Sequence, residues 1–98
     1  MRKTTKNKSS FAQALRGARQ FRGMSQEDFS VHSSRTYVST LERGLKSPTL
    51  SKVDQLADCL EMQPLTLLAM AYSSSLDELD ELLDSVRAEC AGFGRPWG

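Results

Sequence analysis

The chain has 98 residues, of which 39% are hydrophobic and 26% charged. That length supports one modest core with little left for a second ligand-sensing domain, and that composition argues against disorder along the whole chain. The net charge of +1 conceals a division, because residues 1–52 carry eleven Lys/Arg against three Asp/Glu and residues 53–98 carry two against nine. A basic half suits a polyanion, and the acidic half must then point away from it.

Residues 1–8 are polar and basic after Met1. They read as a flexible arm that either reaches a nucleic-acid groove or stays solvated. No apolar run follows the lysines, so no signal peptide is predicted. The longest apolar stretch, Leu65–Tyr72, is eight residues long, too short to span a bilayer. The expected location is the cytoplasm.

Ser9 or Ser10 is placed to cap a first helix running to about Arg22, with Phe11, Ala14, Leu15, Ala18 and Phe21 on one face and Gly23 as its stop. Ser25-Gln-Glu-Asp28 is a helix-start signal and predicts a short second helix, interrupted by His32-Ser-Ser34. A third helix is predicted from Arg35 to about Arg43, ending at Gly44. Thr49 then caps a fourth helix over Leu50–Leu60, expected to bury Leu50, Val53, Leu56, Ala57 and Leu60. Pro64 opens a fifth over Pro64–Tyr72. Ser75 caps a last helix, about Leu76–Cys90, and the tail beyond it reads as irregular. No strand pattern and no internal repeat are present.

The third predicted helix carries the functional argument. At 100° per residue Val38 and Leu41 turn inward, while Arg35, Thr36, Ser39, Thr40 and Arg43 fall together on an outward arc of about 140°. That arc contains no carboxylate. Arginine reads guanine O6/N7 and threonine offers a hydroxyl or a methyl to base edges, so these types suit a major groove. A plain solvated face has the same polarity. The surroundings favour the first reading. Gln26 stands at a helix start, where free N–H groups attract phosphate, and Arg43, Lys46, Ser47 and Lys52 cluster around the following loop.

The runs Gly23-Met-Ser-Gln-Glu-Asp-Phe29, Arg35-Thr-Tyr-Val-Ser-Thr-Leu-Glu-Arg-Gly44, Ser47-Pro-Thr-Leu50 and Leu56-Ala57 resemble the Cro/repressor (XRE-type) helix-turn-helix family over roughly residues 11–68. The resemblance implies an all-α fold: a five-helix lambda-repressor-like domain over residues 9–72, to which residues 75–90 add a sixth helix and residues 91–98 a tail. It implies base contacts from Arg35, Thr36, Thr40 and Ser39. Phosphate contacts would come from Gln26, Ser34, Tyr37, Arg43, Lys46 and Ser47, and an ion pair between Arg19 and Glu42 would hold the third helix against the first. Gln26 to Gly44 spans nineteen residues, shorter than is usual for the family, and the turn lacks a glycine. Val31 is the candidate apolar plug.

Family members usually bind two-fold sites as dimers. Leu76, Leu79, Leu83 and Val86 follow 3-4-3 spacing and are the predicted dimer interface, although the same stripe is able to pack on the chain's own helices. The implied function is a transcriptional regulator, a repressor on a palindromic operator in double-stranded DNA, associated with the nucleoid through that DNA. A controller protein of a restriction–modification system and an antitoxin with a protein partner are the alternatives. No enzyme is expected: His32 is the only histidine and has no acidic residue placed to orient it. Cys59 and Cys90 form no CxxC, and the acids at 77–84 lie along a helix without a calcium loop, so neither a cofactor nor a metal is expected. Met62, Met70, Phe93 and Trp97 read as core or interface residues rather than as a ligand pocket.

Overall fold

The computed structural model describes residues 10–29 and 33–94. Among them the chain is helical throughout: α1 (Phe11–Phe21), a 3-10 turn (Gln26–Phe29), α2 (Arg35–Glu42), α3 (Leu50–Cys59), α4 (Pro64–Tyr72) and α5 (Leu76–Gly92). The arm over residues 1–8, Val31, His32 and Trp97 lie outside the described residues.

Helix starts follow the local chemistry. Ser34, Thr49 and Ser75 each accept, through the side-chain oxygen, the backbone N–H of the residue three further on. These bonds satisfy donors that the first helical turn leaves orphaned. Ser10 occupies the corresponding position before α1 but makes no side-chain cap. Instead its N–H donates to the Ala71 carbonyl at 2.8 Å and ties the start of α1 to the end of α4.

The ends of α1, α2 and α3 share one device. After α1, the Met24 N–H reaches the Arg19 carbonyl and the Gly23 N–H reaches Gln20, both at 3.0 Å. The paired bonds of a Schellman motif put Gly23 at φ 68°. Gly44 closes α2 in the same way at φ 74°. After α3 the motif recurs, but the left-handed residue is Glu61, at φ 58°. A side chain there costs about 1–2 kcal/mol against glycine. Glu61→Gly is therefore expected to raise stability by about 1 kcal/mol, part of the relief being offset by the freer unfolded chain. A urea titration with an unchanged slope and a higher midpoint is the expected record. A lower midpoint would show that the Glu61 side chain itself stabilises the turn.

The core comprises Ala14, Leu15 and Ala18 of α1, Phe29 of the turn, Val38 and Leu41 of α2, Val53, Leu56, Ala57 and Leu60 in and after α3, and Leu67 and Ala71 of α4. α1 lies between α4 and α2, α3 packs on α4, and α5 leans on α4.

Four expectations are corrected. Leu50 is exposed, because the first residue of α3 projects past the layer that buries Val53 and Leu56. Phe21 is also exposed. It lies about 80° from Phe11 at the edge of the apolar stripe, and Arg22 sits over its ring at 5.6 Å. The second helix is only a four-residue 3-10 turn within the described residues. Asp28 Oδ2 accepts the Ser25 N–H at 2.7 Å, so the start signal at Ser25 is used, but no full α-helical turn follows within Gln26–Phe29. Residues 91 and 92, read as tail, continue α5 instead.

Candidate nucleic-acid interface

The site begins with what holds α2. Arg19 lies inside α1 and Glu42 at the end of α2, 23 residues apart. The Arg19 Nε donates to Glu42 Oε2 at 2.7 Å and a second guanidinium nitrogen to Oε1 at 3.0 Å. A third bond runs from Arg19 to the Met24 carbonyl at 2.8 Å. The side chain of Glu42 is 1% exposed and that of Arg19 15%. Gln26 Nε2 donates to Glu42 Oε1 at 3.1 Å, and Arg16, more exposed, stands 3.8 Å away. One carboxylate thus fastens α2 to α1 and to the 3-10 turn. Burial pushes the Glu42 carboxyl up, but the hydrogen bonds from Arg19 and Gln26 and the charges of Arg19 and Arg16 outweigh it and hold the group below its ordinary range. The Glu42 hydrogen bond raises Arg19 in turn, against a smaller opposing effect of burial.

With Val38 and Leu41 buried, α2 turns Arg35, Thr36, Ser39, Thr40 and Arg43 outward. Arg35, Thr36 and Arg43 are exposed, and Ser39 and Thr40 are half-buried. The Thr40 hydroxyl donates to the Thr36 carbonyl at 2.8 Å. Its proton is engaged, so Thr40 presents an oxygen acceptor and a methyl. Arg35 has a neighbour that the face of α2 alone does not reveal: Glu27 of the 3-10 turn, 3.7 Å from its guanidinium, both side chains being well exposed. Such a pair is weak in water and is readily exchanged for a stronger acceptor.

The flanks are basic. Tyr37 is half-buried, with the Lys46 ammonium 5.8 Å and the Lys52 ammonium 5.3 Å from its ring centre. Lys52 also donates to the Ser33 hydroxyl at 3.1 Å. Tyr37 therefore gathers cations contributed by the loop and by α3, which suits a polyanionic backbone. Ser47 is exposed beside them. The Ser34 oxygen accepts the Tyr37 N–H at 3.0 Å, leaving the hydroxyl proton to donate outward. Gln26 gives one amide N–H to Glu42, and the turn that it opens is 3-10 within the described residues.

Lys52 was legible in the sequence as one of the cations clustered around the loop. Arg16 and Glu27 were not, and they reach the site only through long-range packing. Burial pushes the Cys59 thiol up, with Asp58 adding to it, which suits an unreactive packing residue. Among the described residues no group of three His, Cys, Asp or Glu is gathered as a metal would need, and no helix is long and apolar enough to cross a membrane.

A helix fixed on a bundle by a buried ion pair, with a polar cation-flanked face turned outward behind a short preceding turn, defines a helix-turn-helix protein of the DNA-binding class. The chain belongs to the helix-turn-helix domain family, whose model matches residues 10–70. No curated protein and no solved structure matches it. The family match covers α1 to α4 nearly to its end and leaves α5 outside.

Proposed function

We propose that the protein is a sequence-specific transcriptional regulator of XRE type, a repressor that occupies a palindromic operator as a homodimer in the cytoplasm. The observation that carries this reading is the outward face of α2, which offers Arg35, Thr36, Ser39 and Thr40 between cationic flanks while its inner face is locked by Glu42. Arg35 reads a guanine once it leaves Glu27 for the base edge. Thr40, with its proton engaged, meets a thymine methyl or a base amino group. Arg43, Lys46, Ser47, Ser34 and Tyr37 set the register on phosphates. The acids of α5 are exposed on a helix that leans on α4, whereas α2 packs on α1 and the 3-10 turn, so the acidic and reading surfaces belong to different parts of the bundle. Repression then follows from occlusion of a promoter, with no chemical step and no cofactor.

Selection from a random duplex library, followed by binding over a salt series, tests the proposal. The expected product is a two-fold symmetric site with half-sites about 34 Å apart and a guanine in each. Affinity should fall steeply as salt rises, as phosphate contacts release counterions. Weak binding without an enriched sequence would overturn operator recognition and favour an antitoxin or another partner module.

A further inference from the structure

α5 is 17 residues long and buries none of them within the chain. None of its apolar side chains belongs to the core or packs against it. Leu76, Leu79, Leu83, Val86, Cys90 and Phe93 follow a 3-4-3-4-3 spacing, the heptad pattern of a helix–helix seam, so the seam runs through the whole helix. Its two ends differ in what stands beside them and not in exposure, Leu76 being 77% and Leu83 44% exposed. Near the start, Leu79 and Leu83 border an open groove of about 260 Å³ whose other wall includes Leu65, Ala69 and Met70 of α4. Near the end, Val86 is 44% and Phe93 73% exposed, a ridge of apolar side chains. A groove at one end of a helix and a ridge at the other are complementary to a second copy turned end for end.

We propose that two chains pair through antiparallel α5 helices, each placing its Val86–Phe93 ridge in the α4–α5 groove of the other. The proposal rests on the homodimer reading above and specifies its geometry. In this register Leu83 faces Val86 of the partner subunit, Leu79 faces Cys90 of the partner subunit, and Leu76 faces Phe93 of the partner subunit. The charges agree with the orientation. Arg87 is the one basic residue of α5, and it stands beside the seam on the same side as Asp80, two turns away. Antiparallel pairing brings Arg87 opposite Asp80 of the partner subunit, and symmetry forms the pair twice. Parallel pairing would set Arg87 beside Leu82 and Asp80 beside Ser75, with no opposite charge for either. Of the remaining acids, Asp77, Glu78, Glu81 and Asp84 lie away from the seam, and Glu89 flanks it on the side opposite Arg87, where antiparallel pairing sets it beside Leu82 of the partner subunit and no like charge.

The cysteines provide the readout. In the antiparallel register the two Cys90 residues are roughly 16 Å apart along the helices, beyond disulfide reach, while positions 79 and 90 are adjacent. The full chain carrying Cys59→Ala is oxidised mildly with and without Leu79→Cys, and its mass is followed by sedimentation. The expected result is a dimer in both cases, with a reducible covalent dimer only when Leu79→Cys is present. A covalent dimer through Cys90 alone would overturn the orientation. A sedimenting dimer that never crosslinks would overturn this interface while leaving dimeric operator binding intact. A monomer that still selects a two-fold site would overturn dimerisation in free solution, and one that selects none would remove the regulator reading as well. Charge exchange checks the register independently of packing at Leu79. Asp80→Arg and Arg87→Asp should each weaken dimerisation about fivefold, and the double variant should restore it to within about twofold. Failure of that rescue in a dimer would also overturn the register.

Discussion

Glu42→Ala should lower stability by about 3–5 kcal/mol, because it leaves the Arg19 guanidinium largely buried without its counter-charge. It also strips Gln26 of its acceptor and removes the tie between α2, α1 and the 3-10 turn. Replacing the whole pair with apolar residues would cost far less, since two desolvation penalties would vanish together. Urea unfolding of Glu42→Ala, Arg19→Met and the double variant measures this directly. Strict additivity of the two single effects would mean that the residues do not act as a pair. The same carboxylate makes stability pH-dependent. Its folded-state value lies below its unfolded one, so its stabilisation is present in full above the unfolded value of about 4.3. That stabilisation is lost as pH falls through the folded value. Glu42→Gln should therefore flatten the acid limb of the stability profile below about pH 4.3, and an unchanged acid limb would assign that limb to other carboxylates.

Arg35→Ala should weaken operator binding by about 1–3 kcal/mol, between roughly fivefold and 150-fold, and relax the preference for guanine at one position of each half-site. Folding should change by less than about 0.5 kcal/mol, because Arg35 is exposed and pairs with a Glu27 that is exposed as well. Selection repeated with the variant distinguishes base reading from phosphate contact. A uniform loss across all sequences, with the guanine preference intact, would move Arg35 to the phosphate group of contacts. Glu27 supplies the converse. Its carboxylate stands 3.7 Å from the arginine and would face the approaching backbone. Glu27→Gln should accordingly tighten binding to any duplex by a few-fold at low salt, an advantage that fades as salt rises. The exposed Glu27 would then weaken sequence-independent binding more than operator binding, where Arg35 has a guanine to take.

The sequence by itself determined the helices and their signals. Thr49 and Ser75 precede apolar periodicity and do cap helices, and Gly23 and Gly44 follow it and do close them; Ser34, read as part of an interruption and not as a cap, caps α2 as well. The inward positions Val38, Leu41, Val53, Leu56 and Leu60 were legible because burial repeats with the helical period. The outward face of α2 followed from the same arithmetic. Arg19 and Glu42 were legible only through resemblance, since nothing in the chemistry of residues 23 positions apart declares a contact.

Tertiary structure decided the rest. Leu50 and Phe21 have the right type and phase for the core, yet each sits at a helix end where no neighbouring element covers it. The start signal at Ser25 was real, but within the described residues the turn there fits as 3-10, with Phe29 fully buried and Gln26 committed to Glu42. Glu61 takes the left-handed position usual for glycine; its carbonyl and that of Leu60 accept hydrogen bonds from Arg22, some 38 residues earlier in the chain. The gathering of Lys46 and Lys52 around Tyr37 likewise depends on how the loop after α2 returns against α3. Periodicity and capping are local free energies, written in consecutive residues. Which charged groups share one buried carboxylate, and which apolar residues find cover, depends on segments that meet only after the chain has folded.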